Sequence, residues 1–257
     1  MKLKVLGTQS PWTTENHYCP GFLVTNGRNN ILLDCGNGTH KMVQIPKIME
    51  NLYIITSHLD DDHYGDITVY QDASYCLHNQ KRLAYPITIC TPTTPIDKSK
   101  LIRSREYAFA KYININNEAS LNIGDINVSF CRTIHPTENY AIKLEEQEKT
   151  IVYTGDTSFE SKDKLIDFAK GANLLISESS LLVEHGFPEI TSHLTAKQAA
   201  IIAKEADVKQ LMLTHFWPEE NVTKYVEEAK SIFPNTIPAL EGNEIDFPSK
   251  IKEENIR

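Results

Sequence analysis

The sequence has few cysteines and no long apolar run, and each shortage excludes a class of protein. Its five cysteines are odd in number and form no Cys-x-x-Cys pair, so we expect reduced thiols rather than a disulfide framework. No stretch is long and apolar enough for a membrane span, and the opening residues MKLKVLGTQSP contain no apolar signal region. We therefore expect a cytoplasmic protein that is neither secreted nor inserted in a membrane.

Basic residues are also in short supply. The 257 residues include 26 Lys and Arg against 34 Asp and Glu, which gives a formal net charge of −8. Proteins that bind the backbone of long nucleic acids usually carry an excess of Lys and Arg, so this function is disfavoured. A nucleotide or a single phosphodiester remains acceptable as a substrate. The hydrophobic content of 40% is ordinary for a globular protein, and the length fits one large domain or two small ones.

Short strands and two clear helices are predicted along the chain. Apolar runs broken by Gly and Asn indicate strands through residues 2–70, and similar runs resume in the second half. Thr195 and Gln198 form a capping box ahead of one helix, and a second helix is expected over 219–233. Strands followed by helices, twice over, indicate an α/β sandwich of two similar halves with the helices outside.

The most informative segment is an apolar strand that passes directly into a polar loop. The loop holds two imidazoles and three carboxylates, from His58, Asp60, Asp61, Asp62 and His63. Three carboxylates so close together repel one another, and a divalent cation removes that cost. Imidazole and carboxylate groups are natural ligands for such a cation. We therefore favour a metal site here over a solvated acidic turn.

Three more ligand-type residues follow apolar runs later in the chain. They are His135 after DINVSFCRTI, Asp156 after KTIVYTG, and His215 after QLMLT. The end of a strand is where a sheet presents functional groups at its edge. One such histidine alone is usually structural, but three strand-end residues together with the polar loop are hard to reach by chance. Together with His58, Asp60, Asp62 and His63 of the loop, they make the four histidines and three aspartates that two metal ions sharing a carboxylate would need.

The order of these residues resembles the metallo-β-lactamase superfamily. The motif of that family is an Asp after an early strand, then His-x-His-x-Asp-His, then a separate His, Asp and His. The matching residues here are Asp34, His58, Asp60, Asp62, His63, His135, Asp156 and His215. The match covers nearly the full chain. It implies a single domain over residues 1–257 with an α/β fold, the αββα sandwich, in which two mixed sheets are flanked by helices.

The resemblance also implies two divalent metal ions, with Zn²⁺ as the first expectation and Mn²⁺ or Fe as alternatives. The implied ligands are His58, His135 and Asp60 at site one, Asp62, His63 and His215 at site two, and Asp156 as the bridge between the two sites. Asp60 would join site one only if its loop moves inward. We also expect Asp62 to be a catalytic residue. Asp34 would orient a histidine ligand by contacting the ring nitrogen that does not face the metal.

The C-terminal third narrows the resemblance to ribonuclease Z-like members. The stretch SHLTAKQAAIIAKEADVKQLMLTHFWP is similar to theirs, with a His ahead of the Thr-Ala-x-Gln-Ala helix. In those phosphodiesterases a Glu from a strand end pairs with that His to serve the leaving group. The matching residues here are Glu178 and His193, which we expect to be catalytic. Taken alone, His193 fits equally a helix cap or a packing residue, and Glu178 fits a surface carboxylate.

Two departures from the family pattern bear on function. Asp60 stands where the family has a His; a carboxylate there favours Mn²⁺ or Fe, and the superfamily includes diiron proteins with a carboxylate at this place. Ribonuclease Z proteins also carry a long flexible arm that grips tRNA. Residues 76–120, which we interpret as a variable connector with a segment compatible with a helix at 102–112, show no basic arm rich in Gly and Pro.

The sequence therefore predicts a metal-dependent hydrolase that activates water with two metal ions. The expected partner is a small-molecule or nucleotide phosphodiester rather than a long nucleic acid or a membrane, and the resemblance leaves a homodimer open. Hydrolysis of another ester, a thioester or a lactone is an alternative, because one fold hosts many substrates. A diiron redox protein and a metal-poor binding protein are further alternatives, both motivated by Asp60. Trp217 and Pro218 either line the mouth of the site or pack.

Overall fold

Two seven-stranded β-sheets form the centre of the structure, a computed structural model that describes residues 1–105 and 107–247. The first sheet contains, in spatial order, β14 (Glu244–Asp246), β1 (Lys2–Gly7), β2 (Gly21–Thr25), β3 (Asn30–Cys35), β4 (Leu52–Ile55), β5 (Ile87–Thr91) and β6 (Ala110–Asn114). The second contains β13 (Thr236–Pro238), β12 (Leu211–Thr214), β11 (Leu174–Glu178), β10 (Lys149–Tyr153), β9 (Asn139–Glu146), β8 (Ile126–Thr133) and β7 (Ser120–Ile123).

The helices come in two groups, one for each sheet. The first group is α1 (Ile45–Ile48), α2 (Asp61–Tyr64), α3 (Ile67–Asn79) and α4 (Ile96–Arg103). The second group is α5 (Lys162–Ala169), α6 (Ala196–Glu205) and α7 (Val222–Lys230). Within the described ranges, none of them combines the length and apolarity that crossing a bilayer requires.

Both sheets are mixed, and their parallel parts determine where the loops meet. In the first sheet β3, β4, β5 and β6 run parallel, while β1 and β2 are antiparallel to their neighbours. In the second sheet β10 to β13 run parallel, while β7, β8 and β9 alternate. Because the carboxyl ends of parallel strands lie at one edge of a sheet, the loops that follow them gather there.

Apolar side chains fill three layers between the elements. Alternating residues of β8, such as Val128 and Phe130, point into the space between the sheets and share one buried cluster with Ile31 and Leu33 of β3. A second cluster joins the first sheet to α1, α3 and α4, and a third joins the second sheet to α5, α6 and α7. The result is the αββα sandwich that the family resemblance implies, so this prediction is confirmed.

Residues 76–120 are not the variable connector that we expected. They complete the first sheet, because β5 and β6 pair in parallel beyond β4, with α4 between them. The expected helix over 102–112 is wrong as a single element, since α4 ends at Arg103 and β6 starts at Ala110. The half-buried residues of an edge strand mix apolar, aromatic and charged types, and such a pattern is easily mistaken for an amphipathic helix.

The capping box predicted for α6 is present. The Thr195 hydroxyl accepts a hydrogen bond from the Gln198 N–H at 3.1 Å, and the Gln198 side-chain oxygen accepts one from the Thr195 N–H at 2.9 Å. Helix α7 begins later than expected, at Val222, because the side chain of Asn221 caps it. The cap of α6 matters for function, since it places the start of the helix just after His193.

Replacing Thr195 with Ala removes the acceptor from the cap, and we expect the free energy of unfolding to fall by about 1 kcal/mol. Urea denaturation followed by circular dichroism measures the change. Thr195→Ser keeps the hydroxyl and is the matched control, which should retain most of the stability. An Ala variant as stable as the Ser variant would contradict a contribution from this cap.

Candidate metal centre

A cluster of histidines and carboxylates lies at the edge where the parallel strands of both sheets end. In the first sheet, His58 lies in the loop that follows β4. This loop leads into the short helix α2, which contains Asp62 and His63. From the second sheet, His135, Asp156 and His215 follow β8, β10 and β12. The structure therefore brings together all seven residues that the sequence proposes as metal ligands.

Site one is formed by His58, Asp60 and His135. The Asp60 carboxylate oxygen Oδ2 lies 3.4 Å from Nε2 of His58 and 3.3 Å from Nε2 of His135. Its other oxygen accepts a hydrogen bond from the Thr137 hydroxyl at 2.7 Å. Burial raises the pKa of Asp60, but the hydrogen bonds from His135 and Thr137 and the nearby charge of His58 hold it far below its usual range. The loop thus already points inward, and Asp60 presents an ionised oxygen to both histidines.

The position of Asp60 at the start of α2 makes this orientation notable. An Asp at a helix N-cap commonly accepts a hydrogen bond from the backbone of the first turn. Here Asp60 has the extended backbone of a cap residue, but its side chain makes no capping hydrogen bond. The carboxylate is turned toward His135 instead, so it contacts the cluster and leaves the first turn of α2 without a side-chain cap.

Site two is formed by Asp62, His63 and His215. The Nε2 atoms of the two histidines are 3.2 Å apart, and Oδ2 of Asp62 lies 3.6 Å from the first and 3.7 Å from the second. The hydroxyl of Ser10 donates a hydrogen bond to the same Asp62 oxygen at 2.6 Å. The N-terminal loop after β1 thereby fixes the carboxylate.

Asp156 lies between the two sites. Its Oδ1 is 3.3 Å from Nε2 of His63, and its Oδ2 is 3.1 Å from Nε2 of His215 and 3.8 Å from Nε2 of His58. Burial raises the pKa of Asp156, but the charges of His215 and His63 hold it well below its usual value. An ionised carboxylate within reach of both sites has the placement that a bridging ligand requires.

All four histidines of the two sites share one orientation. Each has its Nδ1 atom against another protein group and its Nε2 atom toward the cluster. The Nδ1 partners are the Ser57 hydroxyl for His58, Asp34 for His63, the Ser192 carbonyl for His135, and the Ser180 hydroxyl for His215. Metal-binding histidines are held in this way, because an acceptor on one nitrogen leaves the lone pair of the other free for the metal.

Asp34 supports this orientation from the base of the cluster. Its Oδ2 accepts hydrogen bonds from Nδ1 of His63 at 2.7 Å, from the Ser57 hydroxyl at 2.8 Å and from the Tyr153 hydroxyl at 2.6 Å. Its Oδ1 accepts from the Ser57 N–H at 2.6 Å. Asp34 is fully buried and has a positive φ of 53°, a conformation that Asp tolerates better than most residues. It orients His63 as the sequence predicts.

The donor set fits a pair of divalent cations. Among the described residues, two buried atoms that face the cluster have no hydrogen-bond partner, Nε2 of His58 and Oδ1 of Asp156. Buried polar atoms are rarely left unsatisfied, and a bound cation would satisfy both. The two sites each supply two imidazole nitrogens and a carboxylate, which suit Zn²⁺, Mn²⁺ and Fe²⁺.

Protons and metal ions compete for these ligands. Burial lowers the pKa of His63, but the carboxylates of Asp156, Asp62 and Asp34 hold it well above its ordinary value. Burial, and next the positive charge of the neighbouring His63, lower the pKa of His58. A metal must displace the proton that His63 otherwise binds, so metal affinity will fall as the pH falls.

A second group, the Glu178–His193 pair, lies at the rim of the cluster. Nδ1 of His193 is 3.1 Å from Oε1 of Glu178 and 3.8 Å from Oδ2 of Asp156. Burial lowers the pKa of His193, but the charge and hydrogen bond of Glu178 outweigh this and raise it to about 9. Glu178 is itself buried, and its Oε1 accepts a hydrogen bond from the Thr157 N–H at 2.8 Å. The pair presents a cationic imidazole beside the two sites.

Sequence reasoning missed Ser180. Its hydroxyl lies 2.9 Å from Oε2 of Glu178, 2.7 Å from Nδ1 of His215 and 3.3 Å from Nδ1 of His193. It therefore links a site-two histidine to the rim pair. Ser180 stands in the run Glu-Ser-Ser directly after β11, and this strand-end position was the available signal.

Comparisons with known proteins identify the family. The profile of the β-lactamase superfamily domain matches residues 29–216, which include every candidate ligand. The chain belongs to the β-lactamase superfamily. Its fold is that of metallo-β-lactamase-fold proteins, and its relatives place it in the ribonuclease Z-like branch.

Three similar proteins illustrate this placement. The probable metallo-hydrolase YhfI of Bacillus subtilis is 29% identical, with 91% of this chain and 94% of that protein covered. The crystal structure of YhfI superposes with a TM-score of 0.85 over 95% of this chain and 98% of that one, at 27% identity. Ribonuclease Z of Archaeoglobus fulgidus is 27% identical, with 92% of this chain and 94% of the relative covered. These similarities indicate a metallo-hydrolase that binds divalent metal.

Replacing Asp60 with Ala is expected to reduce the metal content of the purified protein by about one ion per chain, because site one loses its carboxylate. Elemental analysis of protein prepared without a histidine tag or chelator measures the content. Asp61→Ala is the matched control, since Asp61 is the adjacent aspartate, is 76% exposed and pairs with Lys98. Equal metal content in the two variants would remove Asp60 from the ligand set.

Proposed function

We propose that the protein is a phosphodiesterase that hydrolyses its substrate with a water activated by two divalent metal ions. The observation that carries the proposal is the Glu178–His193 pair at the rim of the cluster. Nucleophilic attack on a phosphodiester must be matched by protonation of a departing alkoxide, and a cationic imidazole beside the two sites is suited to that task. The similarity to ribonuclease Z supports the same class of substrate.

The distances between the side chains support the following ligand set. Site one, with Asp60 included, and site two would each hold one ion, and Asp156 would contact both. Zn²⁺ is the first candidate, with Mn²⁺ and Fe as alternatives that the Asp60 carboxylate favours. When bound, the two ions would supply Lewis acidity, lowering the pKa of a water molecule and drawing charge from the phosphoryl oxygens. Three carboxylates leave two divalent ions with a net positive charge, which suits an anionic substrate.

His193 would act as the general acid. Its Nδ1 is held by Glu178, which leaves Nε2–H as the group that donates a proton to the leaving oxygen. Glu178 does not contact the substrate in this assignment. It keeps His193 protonated and fixes the plane of the ring, while the Thr157 N–H holds Glu178 in turn. Asp62, fixed by Ser10, would keep the site-two ion in place as the phosphoryl group gains charge.

The expected substrate is small. Residues that could otherwise form an arm for tRNA, in 76–120, are used to build β5, α4 and β6 of the first sheet. The net charge of −8 also disfavours a long polyanion. We therefore place a small-molecule or nucleotide phosphodiester ahead of tRNA.

A diiron redox protein is the second candidate, and the observation that favours it is the inward carboxylate of Asp60. A ligand set that includes carboxylates suits iron better than an imidazole-rich set of the kind that binds zinc. Protein purified with iron that changes oxidation state reversibly, and that hydrolyses no phosphodiester, would establish this candidate and overturn the first.

Replacing His193 with Ala should slow hydrolysis of a phosphodiester with a poor leaving group about 100-fold, because an alkoxide needs a proton as it departs. A p-nitrophenyl ester should be affected far less, since p-nitrophenolate departs without help. Steady-state kcat/KM on the two ester types, at constant metal content, provides the comparison. Equal losses on both would remove the acid role from His193.

Replacing Glu178 with Gln should shift the alkaline limb of the pH–rate profile to lower pH. Glu178 raises the pKa of His193 to about 9, so the acid form of His193 persists up to that region and is lost above it. Without the carboxylate the pKa falls, and the acid form is lost at lower pH. The matched control is Glu184→Gln, an exposed glutamate paired with Lys224, which should leave the limb in place. An unshifted limb in the Glu178 variant would contradict the pairing.

A further inference from the structure

A cavity that the proposed mechanism does not use adjoins the metal cluster. Its volume is about 440 Å³, within the range of small-molecule sites. It is lined by Ser180, Leu181, His185, Phe187, Trp217, Glu219 and Glu220. Ser180 belongs to both the cavity and the cluster, because its hydroxyl contacts Nδ1 of His215. A group bound in this cavity would therefore be a neighbour of the reacting phosphodiester.

Aromatic side chains form one wall of the cavity and remain exposed. Trp217 is 41% exposed and Phe187 is 59% exposed. Trp217 packs edge-to-face against Trp12, which is 43% exposed, with ring centroids 5.0 Å apart. Large apolar groups left together in water commonly mark a binding surface. The edge-to-face contact with Trp12 orients the Trp217 ring.

The backbone ties this aromatic wall to site two. Gln9 and Phe216 form a parallel bridge, and the Ser10 N–H donates to the Phe216 carbonyl at 3.1 Å. The same Ser10 donates its hydroxyl to Asp62. Trp12 and Trp217 thus extend from the two segments that hold site two, and their distance from the metal ligands is fixed by the fold.

The polar lining of the cavity is acidic. Glu220 is already paired with Lys224 and His185. Glu219 is exposed, and within the part of the chain that the structure describes its carboxylate has no ion pair or hydrogen bond. The acidic lining would repel a second phosphate group of a ligand. The N–H groups of a ligand, in contrast, could donate hydrogen bonds to the Glu219 carboxylate. A planar heterocycle with an amino group satisfies both the aromatic wall and the free carboxylate.

We propose that this cavity binds the nucleobase of a nucleoside phosphodiester, with the base stacked on Trp217 and its exocyclic amino group donating to Glu219. The inference rests on the proposed function, since the phosphodiester of that molecule would lie at the metal cluster. It makes the substrate a nucleoside ester with an amino-bearing base rather than an alkyl phosphodiester.

The first test compares two p-nitrophenyl esters that differ only in the group outside the reaction, adenosine 5′-phosphate and methyl phosphate. We expect the wild-type protein to prefer the adenosine ester in kcat/KM, and Trp217→Ala to reduce this preference about tenfold, as loss of one base–aromatic stack does. Tyr85→Ala is the control, because Tyr85 is an exposed aromatic residue outside the cavity lining. The same preference in the Trp217 and Tyr85 variants would overturn the inference.

A second test examines the amino group. Glu219→Ala should reduce the preference for the adenosine ester over the purine riboside ester, which lacks the amino group. Glu184→Ala, at another exposed glutamate, should preserve the preference. An unchanged preference in the Glu219 variant would overturn the assigned hydrogen bond.

Direct binding separates this inference from the proposed function. The sequence contains only two tryptophans, Trp12 and Trp217, which pack against each other, so fluorescence excited where tyrosine does not absorb reports on this aromatic pair. We expect adenosine to quench it saturably in the metal-loaded protein, and with weaker affinity in Glu219→Ala, which keeps both tryptophans. Quenching without hydrolysis of either ester would support the cavity and refute the phosphodiesterase. Hydrolysis of both esters without quenching by adenosine would support the phosphodiesterase and refute the nucleobase site.

Discussion

The buried carboxylate of Asp34 is the interaction on which the rest of the site depends. An ionised carboxylate out of water is costly unless hydrogen bonds replace its hydration. Asp34 receives four, from the N–H and hydroxyl of Ser57, from His63 and from Tyr153. Since Tyr153 ends β10 of the second sheet and Asp34 lies in β3 of the first, the same carboxylate joins the sheets and directs a histidine toward the cluster. Removing it would leave four buried donors without an acceptor and His63 without the partner that orients its ring.

The cluster is stable only when the negative charges of its carboxylates are balanced by positive charge. The ligand atoms of the imidazoles and carboxylates lie within 4.8 Å of one another in each group of three, and most of the residues are buried. Carboxylates hold the pKa of His63 high, while the histidines hold the pKa of Asp156 low. Protons and metal ions are therefore alternative sources of the same positive charge. Because a cation that binds only the folded arrangement adds its binding free energy to folding, metal supply and stability are coupled in this protein.

The fold and the outline of the cluster could be predicted from sequence because strand-end ligands are local features. His135, Asp156 and His215 each follow an apolar run directly, so periodicity locates them. The direction of Asp60 could not be predicted, since it depends on the hydroxyl of Thr137, which lies in the loop between β8 and β9 of the second sheet. Strand β6 was missed because a half-buried edge strand and an amphipathic helix share one composition. The contact between Trp12 and Trp217 likewise joins segments that no local pattern connects.

Strand β14 closes the first sheet from the far end of the described chain. It pairs antiparallel with β1, Lys2 facing Asp246, so the opening strand obtains its outer neighbour only after both sheets have been synthesised. During translation on the ribosome, the hydrogen-bonding groups on that side of β1 stay unpaired while the rest of the sandwich assembles. An open strand edge is a template for pairing with other chains. A nascent form of this protein thus passes through a stage prone to self-association, which ends when the last strand arrives.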